Sequence, residues 1–385
     1  MRVLQFGRFW NDQHGGIERH VSLLCRGLAQ RGLDVVNLVA SQDRTPHDTR
    51  LDGYRLVQAP SFGMFARTAM SPALVMKARA LHREKPFDVI HLHLPDPLSH
   101  FTSLVMPRDP VRVITWHSDI VRQKRLLALY QPFLRREAIR ADAIVAATPA
   151  HFDSSTQIPP EVPASRRHVI PYGLDYGSME LTPRTAALRD DIRSRAGGRS
   201  VIFALGRHVS YKGFDVLVRA MKEVDAWLVL GGDGPLRAEL QAQAASLGLG
   251  GRIEFTGRIP EADLAAYFHA CDIFCLPSVG HTEAFGLVQL EAMACGKPVV
   301  CTELGNGVNH VNLAGVTGLA APPGDPLALA RTLDALVQDA DLRGRMGAAG
   351  KARAHGDYSV DAMANSTVRL YQQLTDRPGK AGPAG

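Results

Sequence analysis

Short, largely apolar runs rich in β-branched residues recur along this chain, each followed by a stretch with helical spacing. In the first half they occupy 3–6, 35–39, 89–94, 111–116 and 143–147. In the second they occupy 201–205, 227–230, 253–255, 273–276 and 299–301. A strand with one wet face alternates apolar and polar residues, whereas a parallel strand covered on both faces is apolar throughout. Runs of the second kind, separated by helices, predict βαβ units wound into doubly wound parallel sheets. The fold class is therefore α/β, and two successive sets of about five or six strands predict two Rossmann-like domains facing a cleft.

The first set ends at Pro171, Tyr172 and Gly173, and 177–198 is polar without strand character before a fresh first strand begins at Ser200. The expected organisation is a first domain over 1–175, on the acceptor side, and a second over 176–357. A helix over 358–375 is expected to pack back on the first domain, and a disordered Gly- and Pro-rich tail over 376–385. Helices are also expected over 326–338 and 341–354. Charged residues at 21% and hydrophobic ones at 45% are ordinary globular values. No apolar leader precedes the first strand, and no run is long enough to span a bilayer. The five cysteines, Cys25, Cys271, Cys275, Cys295 and Cys301, form no C-x-x-C pair and read as buried free thiols. A cytoplasmic protein is expected.

In doubly wound folds ligands bind beyond the carboxyl ends of the strands, where the strand order reverses. The loops after the strands should carry the chemistry. After 273–276 comes E-A-F-G-L-V-Q-L-E, from Glu283 to Glu291. A helix starting near Ala284 would put Glu283 at its N-terminus and Glu291 about two turns deeper. Its unpaired N–H groups and dipole would suit a pyrophosphate, with Gly286 permitting close approach. One carboxylate could accept sugar hydroxyls and the other ribose hydroxyls. After 201–205, the turn G-R-H-V-S-Y-K-G places Arg207 and Lys212 where two cations would stabilise a diphosphate leaving group. Gly15 and Gly16 precede a helix from about Ile17, and a glycine pair there lets N–H groups approach a phosphate. His117 ends the strand 111–116 within T-W-H-S-D.

Other signals carry less. Asp339-Ala-Asp341 has the form of a metal-binding D-x-D, but it lies between two helices and reads as surface. His91 and His93 have ligand-like spacing on one face of a strand, with no third ligand apparent; they are candidates to line the cleft without a metal. The turn 231–235 is a tight strand-to-helix connection as readily as a ligand contact. Asp119 is a site residue or a loop residue.

The segment from Pro277 to Val300 resembles the signature of glycosyltransferase family 4, two glutamates separated by seven residues, and the likeness extends over nearly the whole chain. It implies the GT-B architecture and a retaining, metal-independent transferase. It also implies roles. Glu283 contacts the donor sugar and Glu291 the ribose, while the backbone at Phe285, Gly286 and Leu287 holds sugar or diphosphate. Arg207 and Lys212 stabilise the leaving phosphate. Gly15 and Gly16 meet the donor phosphate and the acceptor. His117 borders the sugar through its ring or its main-chain oxygen. Arg258 and Ile259 read the base. No cofactor is implied, only a nucleotide-diphosphate sugar, with a GDP-sugar favoured. At Tyr172 the family usually has asparagine, a departure expected to bear on hinge geometry more than on chemistry.

The run T-W-H-S-D-I-V-R-Q-K resembles bacterial mannosyl- and rhamnosyltransferases of O-antigen-type polysaccharides, which implies a glycan or lipid-linked glycan acceptor. The positive surplus falls in the front half. From Asp119 to Arg140, Arg122, Lys124, Arg125, Arg135, Arg136 and Arg140 interleave with Leu126, Leu127, Leu129, Phe133 and Leu134, and Pro132 is expected to kink or split any helix there. Peripheral contact with anionic lipid and a solvated basic helix face both fit. The alternatives are a nucleotide-sugar epimerase on the same fold, a dehydrogenase, which lacks its G-x-G-x-x-G turn, and a basic nucleic-acid module, which leaves the glutamates unexplained. No nucleic-acid partner is expected.

Overall fold

The computed structural model describes residues 1–9, 16–41, 44–65, 68–120, 124–280 and 282–377. The chain forms two compact units, one of 1–174 with 359–385 and one of 175–358.

The first unit holds an eight-stranded sheet. Its strands are β1 (Arg2–Phe9), β2 (Asp34–Ala40), β3 (His47–Leu51), β4 (Tyr54–Ala59), β7 (Val89–Leu94), β8 (Val111–Trp116), β9 (Ala143–Ala146) and β10 (Arg167–Val169); a separate two-stranded ribbon comprises β5 (Met64–Phe65) and β6 (Thr68–Ala69). The order is β10-β9-β8-β7-β1-β2-β4-β3, parallel except for β3, which pairs antiparallel with β4. The strand order reverses between β1 and β7. One face packs through Leu4, Phe6, Ile90, Leu92 and Trp116 against the helices Pro72–Glu84, Pro97–Leu104 and Lys124–Arg140. The other packs through Val3, Val35 and Val113 against Gly16–Gln30 and the last helix, Val360–Thr375. Those two helices meet closely, since a Cβ on Gly27 would lie 2.8 Å from that of Ala364.

The second unit holds β11 (Ser200–Leu205), β12 (Ala226–Gly231), β13 (Ile253–Gly257), β14 (Ile273–Leu276), β15 (Val299–Thr302) and β16 (Gly318–Ala321). The order β13-β12-β11-β14-β15-β16 is parallel throughout and reverses between β11 and β14. Each of the ten apolar runs holds a strand, and all but the edge strand β13, whose Phe255 is half-buried, are fully or nearly fully buried as two-sided parallel strands must be.

Three expectations need correction. The helix after Glu283 begins at Leu287, capped by Gly286 in the left-handed region at φ 65°. Glu283 therefore lies in the preceding loop, and Glu291 is the fifth helical residue, one turn in. Pro132 sits inside a continuous helix, Lys124–Arg140, rather than splitting it. His91 and His93 are buried in the interior rather than lining an opening. All five cysteines are free thiols. Among the described residues no helix is long and apolar enough to cross a membrane.

Candidate active site

In the second unit the site is built where the strand order reverses. The loops after β11 and β14 carry the two motifs, and adjacent parallel strands bring them together. A backbone bond from Val279 N–H to the Tyr211 oxygen (2.8 Å) joins them. Gly213 makes the approach possible: it is left-handed at φ 66°, and a Cβ there would lie 2.1 Å from the Pro277 oxygen. Lys212 folds back over Gly206 and places its Nζ 2.5 Å from Glu283 Oε2, with both side chains nearly nine-tenths buried. Ser278 donates to the same oxygen at 3.1 Å, and Asn306 Nδ2 donates to the Glu283 carbonyl at 2.8 Å. Sequence reasoning gave Lys212 and Glu283 separate roles and missed Ser278; the structure makes them one charge-paired unit.

Arg207 is exposed, in the same loop as Lys212. Phe285 is buried, and its carbonyl accepts from Gln289 Nε2 at 3.0 Å, which shapes the backbone leading through Gly286 into Leu287. Glu291 is half-buried. Arg258, exposed, and Ile259, half-buried, follow β13. The turn 231–235 is a packing device: Gly232 and Gly234 lie against the backbone of Gly206 and His208, where a Cβ would come within 1.9 and 2.5 Å of carbonyl oxygens. Asp339 caps the helix Ala340–Asp357 and is exposed, as is Asp341.

In the first unit, Gly15 lies outside the described residues, and Gly16 opens the helix Gly16–Gln30. His117, just past β8, is buried, and both ring nitrogens are engaged. Nε2 is 3.1 Å from His93 Nδ1, and Nδ1 is 3.0 Å from the Tyr172 hydroxyl. With the ring so engaged, the main-chain oxygen remains the group through which the expected sugar contact could act. Tyr172 also stacks on His117, so its departure from asparagine touches this site directly, contrary to the hinge expectation. Asp119 is a loop organiser. It accepts from Trp116 Nε1 (3.0 Å), Ser155 Oγ (2.6 Å) and Thr156 N–H (2.8 Å).

A hydrogen-bonded chain runs inward from His117. Gln5 Nε2 donates to the Tyr371 hydroxyl (2.9 Å), so its Oε1 faces His93 Nε2 (2.9 Å), which carries the proton. His91 bridges Tyr371 (2.6 Å) and Thr115 (2.7 Å). His20 reaches the same place from the helix Gly16–Gln30. Its nitrogens are buried with no partner among the described residues. Burial lowers His20 to about 4 and His91 to about 3, and pushes His93 and His117 well down, so all four rings are neutral near pH 7. The third histidine that the H-x-H spacing lacked is thus present in space. Its signal in sequence was a histidine on the apolar stripe of Ile17, Val21, Leu24 and Leu28.

The first unit also has an apolar cavity of about 620 Å³ between the helices Pro97–Leu104 and Lys124–Arg140, lined by Met70, Val75, Phe101, Leu126, Leu129 and Phe133 among others. Leu129 is 74% exposed and Phe133 48%. Toward its C-terminal end that helix is anchored by buried Glu137, 3.5 Å from Arg112.

The model described as "Glycosyltransferase Family 4" matches residues 14–177, and that described as "Glycosyl transferases group 1" matches 189–353. The chain is similar to D-rhamnosyltransferase WbpZ of Pseudomonas aeruginosa, at 34% identity over 355 residues, 92% of this chain and 91% of that one. It is similar to O-antigen chain mannosyltransferase C of Escherichia coli, at 29% identity over 378 residues, 98% and 99% of the two chains. Its fold matches the solved sucrose-phosphate synthase of Thermosynechococcus elongatus with a TM-score of 0.73, at 23% identity, over 97% and 98% of the two chains.

Proposed function

Because the chain belongs to glycosyltransferase family 4, we propose that this enzyme moves mannose or rhamnose from a GDP-sugar to a hydroxyl of a glycan or lipid-linked glycan, with retention at the anomeric carbon. The observation that carries the reading is the Lys212–Glu283 pair at the strand-order reversal of the second unit. Relatives named for D-rhamnosyl and O-antigen mannosyl transfer support the choice of sugar.

In this reading the second unit holds the donor. Glu283 accepts sugar hydroxyls while Lys212, held against it, reaches the diphosphate with its remaining N–H donors. Arg207 adds a second cation. As the glycosidic bond breaks, charge builds on the β-phosphate, and fixed cations together with the N–H groups that open the helix Leu287–Ala294 stabilise it without reorganising. These groups do the work a divalent ion would do at the phosphates. The acceptor hydroxyl attacks from the face the phosphate leaves, and the departing phosphate oxygen takes its proton. Glu291 accepts the ribose hydroxyls, and the backbone at Arg258 and Ile259 reads the base.

The first unit serves the acceptor. Its apolar cavity suits the hydrocarbon part of a lipid-linked acceptor, and the exposed Leu129 and Phe133, with Arg136 on the same helix, suit peripheral contact with an anionic bilayer.

The test is a transfer assay with GDP-mannose, GDP-rhamnose and the corresponding UDP-sugars against a lipid-linked glycan acceptor, with the product linkage read by NMR. A GDP-sugar should give a product of the donor's anomeric configuration, at a rate unchanged within about twofold when Mg²⁺ and Mn²⁺ are omitted. An inverted product, or conversion of the donor without acceptor as an epimerase would give, contradicts the proposal.

A further inference from the structure

His20, His93 and His117 converge from three elements of the first unit. His20 comes from the second turn of the helix Gly16–Gln30, His93 from β7 and His117 from the end of β8. One ring nitrogen from each lies within 4.8 Å of the others. The ring centroids form a nearly equilateral triangle, 5.5 Å for His20–His93, 5.0 Å for His20–His117 and 5.3 Å for His93–His117. Three imidazoles around a tetrahedral ion, with metal–nitrogen bonds of ~2.0–2.1 Å, place their centroids roughly 5 Å apart.

We infer that the rings of these three histidines form a zinc site in the first unit. His20 is the observation that points to a ligand. It is 92% buried, and neither ring nitrogen has a partner among the described residues. An imidazole so placed leaves its desolvation uncompensated unless something occupies the space beside it.

Two of the three rings have the outer partners a metal-bound histidine needs. A ligand histidine donates its second N–H to an acceptor that fixes its tautomer and orientation. His93 already does so, since its Nε2 carries the proton to Gln5 Oε1 and leaves Nδ1 bare toward the cluster. His117 requires one change, transfer of its proton from Nε2 to Nδ1, where the Tyr172 hydroxyl stands 3.0 Å away to accept it. No proton is released. Neutral imidazoles and the absence of carboxylates from the cluster favour a borderline transition ion over Mg²⁺ or Ca²⁺. The ion ties the start of the first helix to the ends of the adjacent strands β7 and β8, and it holds His117 in place. It forms no step of the transfer.

The experiment is titration of metal-stripped protein with Zn²⁺ by calorimetry, followed by X-ray absorption of the loaded wild-type protein. One equivalent should bind, the melting temperature should rise by several degrees, and the absorption spectrum should contain imidazole scattering with no sulfur. His20→Ala should lower affinity at least about 100-fold, and Tyr172→Phe about 10-fold, while His355→Ala on the exposed surface of the second unit should bind as wild type. Each variant's circular dichroism spectrum without zinc separates ligand loss from misfolding. Sulfur ligation, no binding by the wild-type protein, or equal binding by a folded His20→Ala overturns the assignment. These readouts need neither donor nor acceptor, so they succeed or fail independently of the proposed transfer.

Discussion

The ammonium of Lys212 lies 2.5 Å from the carboxylate of Glu283, both nearly buried, on loops following adjacent strands of the second unit. In the proposed function the pair couples a contact to the sugar with a contact to the phosphate. Removing one member leaves the other charge unpaired in a desolvated position, which typically costs a few kcal/mol.

The first prediction separates stability from catalysis at this pair. Glu283→Ala and Lys212→Met should each lower the melting temperature, and the double variant Lys212→Met with Glu283→Gln should recover much of that loss. Activity should not recover. Each single change should reduce kcat by about 10²-fold or more, and the double variant should remain as inactive. Thermal melts and single-turnover transfer decide it, and a double variant that regained activity would show the pair to be purely structural.

Gly213 supplies a second test. Its backbone is left-handed, and a Cβ would meet the Pro277 oxygen at 2.1 Å. Gly213→Ala should cost roughly 1–3 kcal/mol in backbone strain, plus the separation of the two loops, and should weaken donor binding. Gly248→Ala shares the conformation, at φ 70°, but has nothing within 4 Å. It should show the strain alone, with donor affinity unchanged in calorimetry.

The apolar cavity predicts a difference between acceptors. Leu129 and Phe133 are exposed, so Leu129→Ser with Phe133→Ser should fold normally. Losing two apolar contacts to a hydrocarbon chain should cost about 2 kcal/mol or more, at least 10-fold in kcat/KM for a lipid-linked acceptor. Transfer to a water-soluble acceptor lacking the lipid should stay within about twofold. Equal losses on both would remove the cavity from acceptor binding.

Asp96 gives a pH signature. Burial pushes its carboxyl up to about 6 from the ordinary 3.8, against an opposing hydrogen bond from Ser99. Between pH 4 and 6 the native state keeps a proton that the unfolded chain has released. This group therefore makes stability fall as pH rises through that window, with the full penalty above about pH 6. Asp96→Asn should be more stable than wild type at pH 8, by about 2–3 kcal/mol, and equal to it near pH 4. Urea melts at the two pH values test this, and the same difference at both would contradict it.

The sheets were legible because two-sided burial writes itself as short, largely apolar runs, and each of the ten holds a strand. Less legible were β3 and β4, a hairpin whose Asp52–Gly53 turn was the available signal, and β16, whose Gly-Leu-Ala-Ala carries almost no strand character. The helix start after Glu283 was misplaced because Ala284 and Phe285 continue the helical pattern while Gly286 forces a left-handed break. The donor residues could be read because they follow one another in short motifs. Ser278, His20, Gln5 and Tyr371 could not, since their roles come from contacts between distant segments. Tyr172 was misjudged for the same reason: its hydroxyl meets His117, 55 positions earlier.

In the proposed function Arg207 and Lys212 bind the diphosphate of a nucleotide-sugar donor. The most direct measurement is a thermal-shift comparison of wild type and the Arg207→Ala, Lys212→Met double variant against GDP, UDP, ADP and NAD. GDP at about 100 times its dissociation constant should stabilise the wild-type protein by about 2.7 kcal/mol and leave the variant's melting temperature unmoved. An equal shift in both proteins, or a shift with NAD alone, would contradict the account.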